Sequence, residues 1–154
     1  MGNDVRWLDS GQQRAWRTWL DAHARLSARL NRELQAASGL SLSDYDVLVH
    51  LTDVPDGRLR AFELGEGLQW EKSRVSRQVA RMAERGLVSR EECAEDGRGA
   101  YVVLTTAGRK AIEAAAPGHV ELVRRLLFDD LSPDQVRVLE AVAGGVLRRL
   151  DEPA

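Results

Sequence analysis

Apolar residues recur every three or four positions in several parts of this chain, and this spacing predicts amphipathic helices. The first such stretch covers residues 10–37, contains no proline and is followed by Gly39, which favours a helix end. We therefore predict one long helix near the start of the chain. Its apolar positions are Trp16, Trp19, Leu20, Leu26, Leu30 and Leu34.

Three shorter helices are predicted to follow the first one. The second covers residues 41–53, with Ser43 as its N-cap and a Pro-Asp-Gly turn after it. The third covers residues 60–67 and contains Gly65, which costs about 1 kcal/mol relative to alanine but lets the next helix pack closely. The fourth covers residues 70–85 and is ended by the glycine that comes next.

After the fourth helix the pattern changes to that of strands. Residues 87–90 and 100–104 are predicted strands, and the polar, glycine-bearing residues 94–99 between them predict a β-hairpin with a long loop. A helix capped by Thr105 or Thr106 is predicted to follow the hairpin.

The C-terminal third of the chain is predicted to be helical again. Pro117-Gly118 is expected to interrupt the helix that follows the hairpin, as a kink or a restart. Helical spacing resumes over residues 120–128. Ser132, which a proline and then an acidic residue follow, predicts the start of a last helix that ends near Leu150.

The charge distribution singles out the fourth predicted helix. The chain has 154 residues and a net charge of −2, with 44% hydrophobic and 30% charged residues, which is ordinary for a soluble globular protein. Residues 68–90 contain six positive and two negative residues, so this segment carries +4 and the remainder of the chain −6. A basic helix in an otherwise acidic protein indicates where a polyanion docks.

The sequence also argues against several other classes of protein. No apolar run approaches the roughly 18 residues of a membrane helix, and the start of the chain lacks the apolar run of a signal peptide. The single cysteine cannot form an internal disulfide, and the three histidines lack metal-ligand spacing. No nucleophile elbow or phosphate-cradling glycine loop occurs. We therefore expect a cytoplasmic protein that is not an enzyme, holds no cofactor or metal and does not enter a membrane.

The order helix, helix, turn, helix and glycine-tipped hairpin is that of a winged helix-turn-helix, a mostly α fold with a small β-hairpin wing. A helix fits the major groove of DNA, which is about 12 Å wide, if its outward face offers hydrogen-bond donors. Val75, Val79 and Met82 fall on the opposite face and would hold the fourth helix to its scaffold. The predicted DNA-binding residues of this helix are Lys72, Ser73, Arg74, Ser76, Arg77, Gln78 and Arg81.

The tip of the hairpin adds a second predicted DNA contact. Arg98 is suited to a narrow minor groove, where the negative potential is enhanced. Asp96 is expected to brace that guanidinium through a charge-assisted hydrogen bond. Arginines on one face of a helix usually mark only a solvated surface, but their combination with a glycine stop and an Asp-x-Arg tip is far rarer and favours DNA binding.

At these residues the chain resembles the MarR family of bacterial transcriptional regulators. The matching segments are residues 42–51 (LSDYDVLVHL), 70–90 (WEKSRVSRQVARMAERGLVSR) and 96–105 (DGRGAYVVLT), and the resemblance continues to the last helix. It implies a homodimer whose N-terminal helix and two C-terminal helices intertwine. It also implies recognition-helix contacts at Ser73, Arg74, Ser76 and Arg77, and a wing contact at Arg98.

The chain departs from the family pattern at two places. Gly65 stands where such units usually carry alanine, and Trp70-Glu71-Lys72 is bulkier than the small polar residues common there. The base preference of other members is therefore not transferable to this chain.

We interpret residues 1–154 as a single domain of this type. Residues 39–105 are the predicted winged helix-turn-helix unit, and residues 10–37 and 106–150 are the predicted dimerisation helices. The apolar stripes of the end helices exceed what the central unit can cover, so their surplus surface is expected to be buried between two chains. A two-fold dimer places its recognition helices about 34 Å apart and predicts a pseudo-palindromic operator.

The resemblance further implies a small effector, held between the dimer helices and the DNA-binding unit. Trp16, Trp19, His23 and Tyr45 are the candidate ligand-binding residues. The simpler alternative is that the tryptophans belong to the dimer core and that the histidine is a satisfied polar residue near the interface.

The predicted function is that of a homodimeric repressor that binds double-stranded DNA and responds to a small ligand, aromatic ligands included. Two alternatives stay open. One is a redox-sensing regulator that uses Cys93, although the carboxylates of Glu91, Glu92 and Glu95 disfavour the reactive thiolate. The other is an adaptor that uses the winged fold to bind protein.

Overall fold

The computed structural model describes residues 4–92 and 100–153. Cys93, Asp96 and Arg98 lie outside these residues, so the predictions for the wing tip remain predictions. The chain divides into two compact units, Met1–Pro117 and Gly118–Ala154. The fold is mostly helical with one small antiparallel sheet, which confirms the winged-helix fold class.

Helix α1 (Ser10–Ser38) is the long N-terminal helix that the apolar spacing predicts. Asp9 caps its start, because the Asp9 carboxylate accepts from the Gln12 backbone N–H at 2.8 Å and the Gln12 side chain accepts from the Asp9 N–H at 3.0 Å. Gly39 ends the helix in the left-handed conformation, with φ 72°.

Helix α2 (Leu42–Thr52) is capped by Ser41, so the prediction of Ser43 as the N-cap is wrong. The Ser41 hydroxyl accepts from the Asp44 backbone N–H at 2.9 Å, and the Asp44 carboxylate accepts from the Ser41 N–H at 2.9 Å. Ser41 has the extended backbone of an N-cap and closes this reciprocal box with Asp44, whereas Ser43 already lies inside the first turn of the helix.

The sheet contains a strand that the sequence did not reveal. Strand β1 (Arg58–Arg60) pairs antiparallel with β3 (Ala100–Leu104), which also pairs with β2 (Val88–Glu92), so the strand order is β1-β3-β2. Three residues are too few to show an alternating pattern, and the prediction therefore began a helix at Arg60.

Helices α3 (Ala61–Leu68) and α4 (Lys72–Glu84) form the helix-turn-helix pair. A Cβ built on Gly65 would lie 3.1 Å from the Trp70 carbonyl oxygen and 3.2 Å from Cγ2 of Val75. The close approach that the sequence predicted at Gly65 is therefore confirmed. Gly86, with φ 74°, follows α4 as predicted.

One apolar core lies beneath these elements and joins α2, α3, α4 and the sheet. Its largest fully buried side chains are those of Leu40, Leu48, Leu51, Leu64, Met82, Val47 and Val102. Because α4 contributes Val75, Val79 and Met82 to this core, its opposite face is presented outward.

Helix α5 (Thr106–Val123) starts with the Thr105 hydroxyl accepting from the Gly108 N–H at 2.9 Å. Pro117-Gly118 was expected to kink or restart this helix, and the restart is wrong, because α5 continues through both residues. A proline removes one helical hydrogen bond, and the turns on either side are long enough to hold the helix. A π-helical segment (Arg124–Phe128) follows α5.

Helix α6 (Pro133–Asp151) ends the chain and begins as predicted. The Ser132 hydroxyl accepts from the Gln135 N–H at 3.2 Å, and the Gln135 side chain accepts from the Ser132 N–H at 2.8 Å. Within the described ranges, none of the helices combines the length and the apolar character needed to cross a membrane.

Candidate nucleic-acid interface

The outward face of α4 carries most of the residues that the sequence predicted as DNA contacts. Ser73 and Ser76 are exposed, as are three basic residues of the N-terminal half of the helix, Lys72, Arg74 and Arg77. The helical phase that the apolar spacing predicted is therefore correct for these positions.

Gln78 is not on this face, and the prediction that grouped it there is corrected by the structure. Its side chain is buried, with 5% of the residue exposed, and its Nε2 donates to Oδ1 of Asp44 at 2.6 Å. Gln78 lies three residues after Val75 and four before Met82, which places it on the buried side of the helix.

Asp44 is the acceptor around which this side of α4 is organised, and the sequence analysis gave it no role. It is buried, with 5% exposed, and its Oδ2 accepts from Nη1 of Arg85 at 2.7 Å in addition to the Ser41 N–H. A buried carboxylate is costly unless several donors satisfy it, and here three do. The Ser41-x-x-Asp44 spacing was the available sequence signal, since it is that of a capping box.

Two arginines extend these contacts to other elements. Nη2 of Arg81 donates to Oε1 of Gln78 at 2.8 Å, and Nη2 of Arg85 donates to the Gly39 carbonyl oxygen at 2.8 Å. We call this set the Asp44 network; its members are Gly39, Ser41, Asp44, Gln78, Arg81 and Arg85. The network joins the end of α1, the start of α2 and the C-terminal half of α4. Arg81 is exposed as predicted, but its guanidinium already has a protein partner.

The basic residues in the N-terminal half of α4 differ from Arg81 and Arg85 in their ion pairs and hydrogen bonds. Lys72, Arg74 and Arg77 form no ion pair or hydrogen bond with any residue of ranges 4–92 and 100–153. The guanidinium carbon of Arg74 lies 4.2 Å from the ring centroid of Trp70, which is a cation–π contact. Lys72 and Arg74 lie in the first turn of α4, at the positive end of the helix dipole, and Arg77 lies in the next turn. Positive charge without a carboxylate partner at this end of the helix attracts phosphate groups.

The base of the wing adds basic residues that the sequence analysis missed. The guanidinium carbons of Arg58 and Arg60 lie 4.4 Å and 4.6 Å from the ring centroid of Tyr101, and Arg58 also pairs with Glu91 at 2.9 Å. These contacts depend on the β1–β3 pairing, which sets Arg60 opposite Tyr101. Because β1 was not predicted, nothing in the sequence indicated the contacts of Arg58 and Arg60 with Tyr101.

The predicted ligand-binding residues occupy different environments. Trp16 and Trp19 are 53% and 54% exposed, and the Trp19 ring stacks on the exposed His23 with centroids 6.0 Å apart. Tyr45 is instead buried in the core, where burial, with the nearby charge of Asp46, raises the pKa of its phenol. The structure therefore brings Trp19 and His23 together and places Tyr45 in a separate, apolar setting.

A cleft of about 920 Å³ lies between α3, the start of α4 and the inner face of the sheet. Phe62, Trp70 and Val102 supply apolar walls, while Lys72 and Arg90 supply positive charge. The four residues predicted to bind a ligand do not line it. No group of three or more potential metal ligands occurs in the part of the chain that the structure describes.

Comparison with known proteins gives a consistent result. A family model described as "MarR family" matches residues 38–99. The structure of Sco3205, a MarR family transcriptional regulator from Streptomyces coelicolor solved in complex with DNA, is 36% identical, covers 98% of this chain and 94% of its own, and superposes with a TM-score of 0.92.

Two further relatives extend the comparison. AbsC, another MarR family transcriptional regulator from Streptomyces coelicolor, is 37% identical, covers 95% of this chain and 98% of its own, and has a TM-score of 0.88. The HTH-type transcriptional repressor YetL of Bacillus subtilis is 27% identical over 128 residues, which are 81% of this chain and 76% of YetL.

Proposed function

The chain belongs to the MarR family of transcriptional regulators, and from that premise we propose that it is a homodimeric repressor that binds a pseudo-palindromic DNA operator. Two relatives support the proposal: Sco3205 was solved in complex with DNA, and YetL is named a transcriptional repressor. Members of this family are regulators and not enzymes.

The observation that carries the proposal is the set of unpaired cations on the exposed face of α4. Lys72, Arg74 and Arg77 have no carboxylate partner among the described residues, so no protein contact has to be broken when they approach DNA. In the proposed complex this half of α4 enters the major groove, since a recognition helix places its N-terminal residues against base edges. Ser73 and Ser76 lie on the same exposed face and would donate hydrogen bonds beside them.

Apolar side chains left exposed in the single chain support the homodimer. On α1 these include Trp16, Trp19 and Leu20. On α6 they are Val136, Val138, Val142, Val146, Leu147 and Leu150. Large apolar side chains repeated along one helix mark an interaction site on soluble proteins, and a second copy would cover those of α1 and those of α6 on both chains.

Response to a small ligand is the further part of the proposal. Where the second copy leaves them uncovered, the stacked Trp19 and His23 rings would offer a flat surface that suits an aromatic compound. A screen of aromatic acids by tryptophan fluorescence would test this, with Trp19→Phe as the control. Failure of every compound that releases DNA to quench Trp19 would contradict the assignment of these residues.

The experiment for the proposed function uses the purified full chain and the DNA immediately upstream of its gene. We expect fluorescence anisotropy to show salt-dependent binding to an inverted repeat, with log K falling against log salt by about 0.9 for each phosphate contacted. Light scattering at micromolar concentration should show a dimer. The double variant Lys72→Ala/Arg77→Ala should bind more weakly with a smaller slope.

Arg25→Ala is a matched control for that double variant, because Arg25 is exposed on α1 and paired with Asp21 at 2.9 Å. It should bind DNA as the unmodified chain does. Absence of DNA binding, with capture of a protein partner instead, would favour the adaptor alternative.

A further inference from the structure

Trp70 is held rigidly just before α4. Gln69 has φ 57°, a left-handed conformation that non-glycine residues seldom adopt, and this turns the chain so that the Trp70 N–H donates to the Gly65 carbonyl at 2.9 Å. The absence of a Cβ at Gly65 lets the Trp70 backbone approach closely, and the half-buried indole packs against the core. The ring therefore has little freedom to move.

Arg74 rests on this ring. Its guanidinium carbon lies 4.2 Å from the indole centroid, and the side chain forms no hydrogen bond or ion pair with a described residue. A cation–π contact uses the charge of the guanidinium and none of its hydrogen bonds, so the N–H groups of Arg74 stay available as donors. The edge of a guanidinium matches the O6 and N7 acceptors of guanine in the major groove.

Arg77 provides the contrast within the same helix. Arg77 is also exposed and also forms no ion pair or hydrogen bond with a described residue, but no aromatic ring of the described residues contacts it. A long, unrestrained cation is suited to a phosphate, whose charge can be met from many directions, and less suited to a base edge. Arg74 also lies in the first turn of α4, from which side chains reach bases, since the helix starts at Lys72.

We propose that Trp70 is a positioning residue that holds Arg74 as the reader of a guanine in each half-site of the operator. The inference rests on the proposed function and adds to it a residue that determines sequence preference. Trp70-Glu71-Lys72 is one of the two places at which this chain departs from the family pattern, so the preference that Trp70 confers would not be shared by every member.

The test begins with selection from a randomised duplex library by the purified full chain. Affinities are then measured for the selected site and for versions altered at each base pair. We expect a G·C pair in each half-site at which replacement costs the unmodified chain about tenfold in affinity. Arg74→Ala removes the donors that would meet O6 and N7 of guanine, so it should lose this preference, whereas Arg25→Ala should keep it.

Two substitutions at Trp70 separate a stacking surface from simple bulk. Trp70→Phe keeps an aromatic face and should retain most of the discrimination at that pair. Trp70→Leu keeps an apolar side chain without a π face, and should lose the discrimination at that pair alone while binding the altered site as the unmodified chain does. Circular dichroism and thermal melting would establish that each variant is folded.

Several outcomes would overturn the inference. An equal loss at every base pair in Trp70→Leu would mean that the ring supports only the fold. A guanine preference that survives in Arg74→Ala would mean that Arg74 does not read the base. If the unmodified chain selects no DNA at all, the proposed function fails and this inference with it, whereas the first two results contradict only the role of Trp70 and Arg74.

Discussion

The two halves of α4 carry the same kind of side chain in opposite circumstances. In the N-terminal half, Arg74 and Arg77 have no carboxylate partner among the described residues. In the C-terminal half, taken together with the capping residue Arg85, Arg81 and Arg85 are bound into the Asp44 network. The difference shows that a count of positive charges on a helix does not measure its DNA-binding surface. What distinguishes the halves is whether a buried acceptor lies within reach.

Among the substitutions that test this difference, removal of the shared acceptor Asp44 should have the largest effect on stability. Asp44→Ala leaves the Gln78 amide and the Arg85 guanidinium without their carboxylate, and we expect the free energy of unfolding to fall by about 2–4 kcal/mol. Urea denaturation would measure this as a lower midpoint at an unchanged slope.

Asp53→Ala is the matched control for Asp44→Ala. Asp53 is exposed at the end of α2, and its replacement should change stability by less than about 0.5 kcal/mol. Equal midpoints for the two variants would show that the network contributes nothing to the fold, and the distinction between the halves of α4 would lose its basis.

A reciprocal pair of substitutions, one in each half, gives an intermediate effect. Arg85→Ala should lower the free energy of unfolding by about 1 kcal/mol. The expected loss is small because the Arg85 side chain is 44% exposed and solvent screens its ion pair with Asp44. Arg77→Ala should leave stability unchanged and weaken operator binding by about 1 kcal/mol, with about one unit less salt dependence. Denaturation and anisotropy on both variants would check the pair.

The comparison between the two halves of α4 fails if Arg77 proves to stabilise the fold or Arg85 proves to bind DNA. A destabilised Arg77→Ala would mean that Arg77 has a structural partner. A folded Arg85→Ala with much weaker DNA binding would mean that the C-terminal half also contacts the operator directly.

The smallest effect on DNA binding is expected at Lys72, the first residue of α4. Lys72→Ala removes a flexible point charge at the first residue of α4, and we expect a loss of about 0.5–1 kcal/mol in binding to any DNA sequence alike. Binding titrations on operator and unrelated duplexes at several salt concentrations would measure it. A loss confined to the operator would instead assign Lys72 to a base.

The sequence predicted the elements whose signals are local. The apolar spacing of α1 and α4, the glycine after α4 and the Ser-Pro start of α6 needed only neighbouring residues, and each was correct. Strand β1 was missed, since its pairing with β3 spans more than forty residues and three positions show no alternation. Pro117 was given too much weight because a proline is a strong local signal, while the turns on either side decide whether a helix survives it.

In the candidate site, too, the features that depend on distant residues were missed. The outward cations of α4 followed from helical phase, and their exposure is correct. Gln78 was wrongly predicted to be exposed because it is polar and adjoins the basic residues of α4. Its hydrogen-bond partner, Asp44, lies 34 positions away in the sequence. The stack of Arg74 on Trp70 depends on the left-handed backbone at Gln69, which nothing in the local sequence announces.

The direction of the hydrogen bonds at Gln78 has a consequence for how this helix can vary. The side chain donates to Asp44 through Nε2 and accepts from Arg81 through Oε1. A glutamate there would oppose one carboxylate with another, a leucine would neither donate nor accept, and an asparagine would be one methylene too short. Glutamine therefore meets both requirements at position 78, whereas in the proposed DNA complex positions 72 and 77 would need only a positive charge, which either lysine or arginine supplies.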